Sequence, residues 1–484
     1  MNVRVAIVGA GMSGLCMAHR LREAGHDDVV IFEKADEVGG TWRENRYPGL
    51  SCDVPSRFYS YSFAPNPDWT HPFSPGSEIQ EYFVGTSDRL GLRPLIRFGA
   101  EVTEASWENG RWKLRTAAGT EESADVLICA TGVLHHPRMP KIDGLEDFAG
   151  VAVHSARWDP SLELAGKRVG IVGTGSTGVQ ITTAIAGAAE QLSVFQRTAQ
   201  WILPVPNRAY LPLTRAAFRR LPWLNRFAHR AYQGLLEATF GVAVLREGWQ
   251  RTAISTLVRL NLRFAVRDPA LRRRLTPHYE PMCKRLVMSA AYYPALQRRG
   301  VEVVAEAIER VEPRGVITAD GRAHELDVLI LATGFDAHAY MRPMRITAPD
   351  GRTLEQAWAD GPRAYRTVAV AGFPNLFLLM GPHSPIANQS LIAVAEAQAA
   401  YIVKWVGLLA RGEVGAAVPR ADATAEFNAA MREAASTTVF ASGCASWYLD
   451  ADGVPEVWPW SPARHRAMLR EPELEHFAAP EVRR

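Results

Sequence analysis

Two stretches of the same design decide the fold: VRVAIVGAGMSG at residues 3–14 and KRVGIVGTGSTG at residues 167–178. Each places a β-branched run before three glycines spaced G-x-G-x-x-G and continues into a helical pattern. In this context backbone N–H groups at the mouth of the helix can bind a pyrophosphate. The pattern predicts two dinucleotide-binding units whose phosphate loops contain Gly9, Gly11, Gly14, Gly173, Gly175 and Gly178.

The residue that follows each second strand indicates which nucleotide binds. VVIFEK places Glu33 where a carboxylate accepts hydrogen bonds from ribose hydroxyls, which is typical of an FAD site. LSVFQRT places Arg197 and Thr198 at the equivalent point of the second unit. A guanidinium can bind a 2′-phosphate that a carboxylate would repel, so this unit should prefer NADPH over NADH. The alternative is that Arg197 only faces solvent.

The chain is expected to be an α/β protein with two Rossmann-like three-layer domains and a helical insertion. Each unit also has a late strand that ends in Ala-Thr-Gly, starting at Asp125 and at Asp327. The predicted division is an FAD domain at 1–145, an NADPH domain at 146–202, a helical insertion at 203–281, the rest of the NADPH domain at 282–336, and the rest of the FAD domain with C-terminal loop and helices at 337–484.

The predicted insertion interleaves arginines with Leu, Phe and Trp and has few acidic residues. A basic amphipathic helix pair of this kind can rest on a membrane surface. The alternative is a lid over the cleft whose arginines form a solvated face. We expect the lid.

Composition excludes several other classes of protein. The chain has 54 basic and 51 acidic residues, which is too even a balance to predict a nucleic-acid partner. Its 5 cysteines are scattered, without a C-x-x-C pair or a Cys/His cluster at metal-ligand spacing. No signal-peptide pattern is present at the start. We expect a cytoplasmic protein with reduced thiols and no metal.

Two longer patterns carry a resemblance to a known family. FAGVAVHSARWD at residues 148–159 fits F-x-G-x-x-x-H-x-x-x-W-[P/D], and residues 39–53 fit G-G-x-W-x-x-x-x-[F/Y]-P-G-x-x-x-D. Together they resemble type I Baeyer-Villiger monooxygenases, which are class B flavoprotein monooxygenases. The matching residues are Phe148, Gly150, His154, Trp158 and Asp159 in the first pattern and Gly39, Gly40, Trp42, Tyr47, Pro48, Gly49 and Asp53 in the second.

The resemblance implies a reaction. FAD reduced by NADPH would react with O2, and the resulting flavin peroxide would insert one oxygen atom beside a ketone carbonyl to give an ester or a lactone. Two alternatives stay open: an N- or S-oxygenase, whose family normally lacks the residue equivalent to Trp158, and a non-oxygenating nucleotide-binding flavoprotein. The sequence does not indicate which ketone is used, the regioselectivity, the relative heteroatom oxidation, the oligomeric state or the pathway.

The resemblance also implies roles for individual residues. Arg285 would be the permanent cation beside the peroxide, and Asp53 the carboxylate paired with it. Lys284 would help bind the NADP 2′-phosphate, and Trp447 would lie on a mobile loop over the nicotinamide. The fingerprint at residues 148–159 would act as a hinge in the connection before Lys167. The remaining expected cofactor contacts are Gly40, Thr41, Trp42 and Ser176, and the expected pocket walls are Tyr59, Tyr61, Trp201 and Trp447.

Overall fold

The computed structural model describes residues 2–387 and 389–478. The outer ends of the predicted division, residue 1 and residues 479–484, lie outside the described residues. The strands, in chain order β1 to β19, are Val5–Val8, Val29–Phe32, Ile96–Arg97, Val102–Glu108, Arg111–Thr116, Glu121–Ala124, Val126–Cys129, Val151–His154, Arg168–Val172, Gln191–Phe195, Ile202–Leu203, Val287–Met288, Val301–Val304, Ile308–Glu312, Gly315–Thr318, Ala323–Glu325, Val328–Leu331, Arg345–Thr347 and Leu376–Leu378.

The α-helices are numbered α1 to α14, and short 3-10 segments and a π-helical turn at Glu237–Gly241 accompany them. In chain order they are Met12–Glu23, Thr41–Glu44, Gly76–Arg89, Ser176–Ile185, Pro212–Arg220, Pro222–Leu236, Val242–Leu245, Trp249–Ala265, Pro269–Arg274, Tyr292–Leu296, Leu354–Ala357, Leu391–Arg411, Ala421–Ala435 and Pro462–Met468.

The first central sheet is parallel and has the order β19-β7-β1-β2-β3. It joins the beginning of the chain to strand β19, which lies near the other end. Side chains alternate between its two faces, as the pleat requires. Val5 and Ile7 belong to one buried cluster with helices α1 and α12, whereas Ala6 and Val8 belong to another with the four-stranded sheet β18-β4-β5-β6.

The second central sheet is also parallel, with the order β13-β10-β9-β17-β8. Val169 and Ile171 of β9 share a buried cluster with helices α4 and α10. Leu329 and Leu331 of β17 pack on the other side with the antiparallel strands β14 to β16. The prediction of an α/β fold with Rossmann-like three-layer units is confirmed. The sequence motifs did not predict that one layer of each unit consists largely of antiparallel strands.

The family fingerprint lies partly in regular structure. Residues Val151–His154 form β8, the edge strand of the second sheet, so the expectation that the fingerprint is only a connection is wrong. Phe148 is buried among residues of the β14 to β16 layer. A Cβ on Gly150 would approach the Asp327 carbonyl oxygen to 2.5 Å and the Phe148 ring to 2.6 Å. Glycine is therefore required where the chain enters this edge strand.

The helical insertion contains α5 to α9 and lies between β11 and β12, which pair in parallel. Its outward faces carry large apolar side chains as well as arginines, and the expectation of a lid with a solvated arginine face did not include these apolar side chains. Among the described residues, one helix is long and apolar enough to cross a membrane, namely α12. Most of that helix is buried, and it packs against α1 as a core helix of the first unit.

Candidate functional site

Both glycine loops are built so that only glycine fits. In the first loop, a Cβ on Gly9 would lie 2.5 Å from the Ala130 carbonyl oxygen, and a Cβ on Gly14 would lie 1.9 Å from the Gly9 carbonyl oxygen. The second loop repeats these close approaches. A Cβ on Gly173 would lie 2.4 Å from the Ala332 carbonyl oxygen, and a Cβ on Gly178 would lie 2.1 Å from the Gly173 carbonyl oxygen. The glycines hold each strand, turn and helix in close contact, as a dinucleotide loop requires.

The helix N-termini at these loops fit the pyrophosphates of the implied cofactors. No described side chain caps α1 at Gly11 or α4 at Gly175, so the first-turn N–H groups stay open to a ligand. A Cβ placed on Gly175 would meet no atom within 4 Å, which leaves room above the loop. Ser176 begins α4 at the same point. An uncapped helix end beside open space is a suitable anion site.

Glu33 directly follows β2 and is 6% exposed. Its carboxylate accepts the N–H of Ala10 at 2.7 Å and that of Ala35 at 2.9 Å. Each carboxylate oxygen can accept a second hydrogen bond, so binding of ribose hydroxyls is still possible in this arrangement. The Glu33 side chain therefore stabilises the first loop through these two hydrogen bonds, which do not require a bound nucleotide.

The residues that follow Gly39 lie beside the first loop. A Cβ on Gly40, which has φ +53°, would approach Gly11 Cα to 3.2 Å, and Thr41 begins α2. The Trp42 indole N–H donates to the Tyr59 hydroxyl at 3.1 Å. The sequence therefore brings Gly40, Thr41 and Trp42 to the first nucleotide loop, although they are about 30 residues away in the chain.

The same motif also links the two units. The Tyr47 hydroxyl donates to Gln180 Oε1 at 2.9 Å, and a Cβ on Gly49 would lie 2.6 Å from the Gln180 carbonyl oxygen. Gln180 lies on α4, the helix that begins at the second glycine loop. The Tyr-Pro-Gly part of the family pattern is thus a contact between the two nucleotide-binding units, which spacing alone did not indicate.

Three residues predicted for the second nucleotide site lie around one cationic edge. Arg197 is exposed directly after β10, and the Thr198 carbonyl accepts the Thr174 hydroxyl at 2.7 Å. Lys284 Nζ lies 4.5 Å from the Tyr279 ring centroid. Burial, and then the charge of Arg197, lower the pKa of Lys284. Two cations therefore act on one another here, as they would around a shared phosphate.

Arg285 and Asp53 form a two-pronged ion pair. Arg285 Nε donates to Asp53 Oδ2 at 2.7 Å and Nη2 donates to Oδ1 at 2.6 Å, while Nη1 donates to the Ile386 carbonyl at 3.2 Å. The side chains are 37% and 24% exposed. The charge of Asp53 raises the pKa of Arg285. The guanidinium is thus permanently charged and held in one orientation.

A disulfide lies next to this pair and corrects the expectation of reduced thiols throughout. Cys283 and Cys444 are bonded, with Cα atoms 6.1 Å apart across 161 residues of sequence. Cys16, Cys52 and Cys129 are free and buried. Spacing along the chain could not indicate the bond because the two segments meet only in the folded protein. It joins the Arg285 segment to the loop that carries Trp447.

Trp447 is 40% exposed and packs edge-to-face on Tyr448, with ring centroids 4.5 Å apart. Tyr448 is buried, and its hydroxyl lies close enough to the Arg285 guanidinium to interact with it. Burial raises the pKa of Tyr448. The loop therefore reaches the cation through Tyr448, and Trp447 is the more outward of the two rings. Sequence analysis selected Trp447 and missed Tyr448.

The sequence analysis also missed an imidazole that faces this loop. His338 Nε2 lies 2.6 Å from Glu456 Oε2, and Glu456 N–H donates to the Tyr448 carbonyl at 2.6 Å. The hydrogen bond to Glu456 raises the pKa of His338. Both residues line a small cavity together with Trp447, Tyr448 and Ile386. No motif signalled this pair, because neither residue belongs to the family patterns.

The other predicted pocket residues are spread more widely. Tyr59 and Tyr61 are buried in the core of the first unit, where the Tyr59 hydroxyl accepts from Trp42. Trp201 is buried in the core of the second unit, and its indole N–H donates to the Tyr279 carbonyl at 2.8 Å. These three rings have packing partners, whereas Trp447 lies at the cavity.

Comparisons with known proteins agree with two nucleotide sites, one for FAD and one for NADP. The flavin-binding monooxygenase-like family model matches residues 2–342. A Baeyer-Villiger monooxygenase of Streptomyces coelicolor is 40% identical over 481 residues, which cover 98% of this chain and 92% of that protein. An uncharacterised monooxygenase of Mycobacterium tuberculosis is 54% identical over 480 residues, which cover 98% and 97% of the two chains.

Solved structures are similar over almost the entire chain. An oxidised steroid monooxygenase bound to NADP has a TM-score of 0.87 at 32% identity, with 99% of both chains covered. A closed structure of cyclohexanone monooxygenase has a TM-score of 0.87 at 31% identity, again with 99% of both covered. The chain belongs to the flavin-binding monooxygenase-like family and, within it, to the FAD- and NADPH-dependent Baeyer-Villiger monooxygenases.

Proposed function

We propose that Arg285 is the catalytic cation of this Baeyer-Villiger monooxygenase and that Asp53 positions it. The observation that carries the proposal is the two-pronged contact between these side chains. Of the five guanidinium N–H donors, two are used by Asp53 and one by Ile386, which leaves two for Tyr448 and the reacting groups. A fixed cation is suited to stabilise negative charge that develops as oxygen attacks a carbonyl.

Bound FAD, once reduced by NADPH, would activate O2 for transfer of one oxygen atom to the ketone, and the chain would supply the charge and the enclosure around that site. Asp53 keeps Arg285 from rotating away, because both prongs of the contact would have to break. Tyr448 of the C-terminal loop lies beside the cation, and Trp447 packs on Tyr448. We propose that this loop excludes water from the reacting carbonyl. The activated oxygen would then be transferred to the ketone and would not be lost by reaction with water.

We further propose that Arg197 and Lys284 select NADPH over NADH. Burial and then the charge of Arg197 lower the pKa of Lys284, and this proximity of two basic side chains supports a shared anionic ligand. The exposed position of Arg197 at the end of β10 leaves its guanidinium free to meet a 2′-phosphate. Thr198 and Ser176 would add hydroxyl contacts near the same phosphate groups.

The predicted domain division is kept as part of this proposal. The FAD domain would combine the two ends of the chain, since β19 joins β7 in the first sheet. The NADPH domain would be formed by residues 146–202 and 282–336, and residues 203–281 would cover the cleft. We also propose a cytoplasmic location, where NADPH is supplied. The Cys283–Cys444 bond is buried, which protects it from thiol reductants there.

The substrate is proposed to be a ketone with an apolar ring. Similar structures include a steroid monooxygenase and cyclohexanone monooxygenases, so cyclic and polycyclic ketones form the first panel to test. The cavity beside Trp447 and Tyr448 is lined by both apolar and ionisable side chains, including His338 and Glu456. Apolar walls bind the body of a ketone, and the few polar groups orient its carbonyl.

The test is a product assay with purified, FAD-loaded protein and NADPH. Each ketone of the panel is paired with a sulfide of similar size, and products are identified by mass spectrometry. We expect esters or lactones from at least one ketone, and a loss of about 100-fold or more in their formation in Arg285→Ala. Arg299→Ala, an exposed arginine near the same segment, is the control and should retain activity. Oxidation of sulfides alone would overturn the proposal in favour of heteroatom oxygenation.

A further inference from the structure

The outward face of α8 in the insertion is unusually apolar. Trp249, Leu257, Leu260 and Phe264 are 72%, 47%, 42% and 74% exposed. At about 100° per residue they fall within one arc of roughly 80° on the helix surface. Val258 and Leu262 on the opposite face are buried in the core. This helix is therefore apolar both where it packs and where it faces outward, which packing within the chain does not explain.

Helix α6 repeats this arrangement. Trp223, Phe227 and Leu235 are 55%, 64% and 57% exposed, and they follow one another at intervals of four and eight residues along one side. The chain just before them adds Leu211 and Leu213, which are 70% and 80% exposed. Of the large apolar residues that the structure exposes, most lie in this one insertion. Such a concentration marks an interaction surface.

Arginines border both apolar stripes. Arg226 and Arg230 lie along one edge of the α6 stripe, and Arg259 and Arg263 lie along the corresponding edge of the α8 stripe. Residues 203–281 contain fourteen arginines and four acidic residues, an excess of ten positive charges, whereas the whole chain has a formal net charge of +3. The rest of the chain is consequently acidic. The positive charge is concentrated around the exposed rings.

The positive charge of this surface indicates which of two partners can bind it, a second copy of the chain or a lipid membrane. Contact between two copies of the chain through these faces would bring two strongly positive surfaces together, which electrostatic repulsion opposes. An anionic lipid surface offers phosphates for the arginines and an apolar interior for Trp, Phe and Leu. Tryptophan is also the ring that best suits the boundary between lipid and water.

The insertion is tied directly to the proposed catalytic segment. Asn261 of α8 donates to the Ile202 carbonyl at 3.0 Å, and β11 pairs with β12, which begins two residues after Arg285. At the other end, Arg57 Nη1 donates to Asn225 of α6 at 2.8 Å and its guanidinium stacks on Phe218. These contacts connect the exposed surface of α6 and α8 to the chain segments that carry Asp53 and Arg285.

We propose that α6 and α8 dock this protein on an anionic membrane surface, with their exposed aromatic and leucine side chains among the acyl chains and their flanking arginines on the lipid phosphates. The helices lie in the interface and do not cross the bilayer. One consequence, which rests on the proposed function, is that an apolar ketone dissolved in the membrane can reach the site without passing through water.

The test is co-sedimentation of the full-length, FAD-loaded protein with vesicles of phosphatidylcholine, with and without phosphatidylglycerol. No ketone or NADPH is added, so the result does not depend on the proposed catalysis. We expect binding to the phosphatidylglycerol vesicles that weakens as salt rises, with a blue shift of tryptophan fluorescence. Trp223→Ser/Phe227→Ser in α6 and Trp249→Ser/Phe264→Ser in α8 should each reduce partitioning by about tenfold or more.

Two further variants give controls. Arg226→Gln/Arg230→Gln should lower binding to anionic vesicles by about 30-fold, because the two substitutions remove two favourable interactions with lipid phosphates. Met139→Ser/Leu474→Ser removes exposed apolar side chains outside the insertion and should bind like the parent protein. The parent protein failing to bind anionic vesicles would overturn the proposal. So would a dimer in light scattering that the α8 variant dissociates, because a second copy would then be the occupant.

Discussion

Asp53 and Arg285 are 232 residues apart in the chain but share two hydrogen bonds in the folded protein. Both were selected from the sequence through the family resemblance, Asp53 as the last residue of the second pattern and Arg285 as the implied cation. Their contact was expected only from the family resemblance. No spacing rule states which of many arginines a given aspartate meets, and that information comes from the packing of the two units against one another.

Replacing Asp53 should separate its effect on catalysis from its effect on stability. The pair is partly exposed, and ion pairs of this kind contribute about 1 kcal/mol or less to folding. We expect Asp53→Asn to lower kcat by about tenfold or more, because Arg285 loses the partner that fixes its orientation. The Tm, measured by calorimetry, should change by no more than about 2 °C. A large fall in Tm with kcat unchanged would contradict a positioning role.

Arg197 should control the choice of nucleotide. A charge-assisted hydrogen bond contributes about 1.5–3 kcal/mol, so Arg197→Ala should raise KM for NADPH by about 10- to 100-fold. KM for NADH should stay nearly constant, since NADH has no 2′-phosphate. Steady-state kinetics with both nucleotides measures this. Equal increases in both KM values would assign Arg197 a structural role, and Arg298→Ala provides an exposed arginine as control.

The His338–Glu456 pair should make stability depend on pH in one direction. The folded protein raises the pKa of His338, so the pair contributes stability below the ordinary imidazole pKa of about 6.5 and loses it as pH rises through the raised value. We expect the Tm of the parent protein to exceed that of His338→Asn most at about pH 6. The difference should shrink toward about pH 9, and a constant difference would refute the assignment. Because His338 is partly exposed, the effect is modest.

At the scale of elements, the glycine loops were predictable and the antiparallel layers were not. Gly9 and Gly173 follow apolar strands and precede helices, a local pattern that sequence alone displays. Strands β4, β6, β14 and β16 have few buried side chains and show no strong apolar periodicity, although β5 alternates buried Trp112 and Leu114 with exposed neighbours. The edge strand β8 was missed because two of its four residues are exposed.

The loop that carries Trp447 and Tyr448 is held by a bond that sequence reasoning did not anticipate. Cys283→Ser/Cys444→Ser should free this loop from the Arg285 segment. A bond that closes so long a loop is estimated to stabilise the folded chain by about 3–5 kcal/mol, so the Tm should fall by several degrees. More water at the cation should also raise the ratio of NADPH consumed to ester formed.

The matched control for this prediction is Cys129→Ser, which removes a buried free thiol outside the bond. It tests whether loss of any buried sulfur raises the ratio of NADPH to ester. That ratio is obtained from absorbance and mass spectrometry on the same samples. If the double variant kept the parent ratio, the bond would stabilise the fold without affecting the site.

At the scale of the whole molecule, two parallel sheets, a cationic segment between them and a basic helical insertion form one chain. The order of these parts along the chain could be predicted from the sequence, because each part has its own local pattern. Their mutual contacts, such as Tyr47 with Gln180 and Cys283 with Cys444, were not readable, because they depend on how separate units meet in three dimensions. The substrate pocket belongs to this second kind of information.

The central claim is that this chain places one atom of dioxygen beside a ketone carbonyl. The most direct measurement is the mass of the product formed from a cyclic ketone, NADPH and ¹⁸O₂ by the FAD-loaded protein. We expect a lactone that contains one ¹⁸O atom, with NADPH consumed in near-equal amount. Consumption of NADPH that yields only hydrogen peroxide, or a lactone without the label, would contradict it.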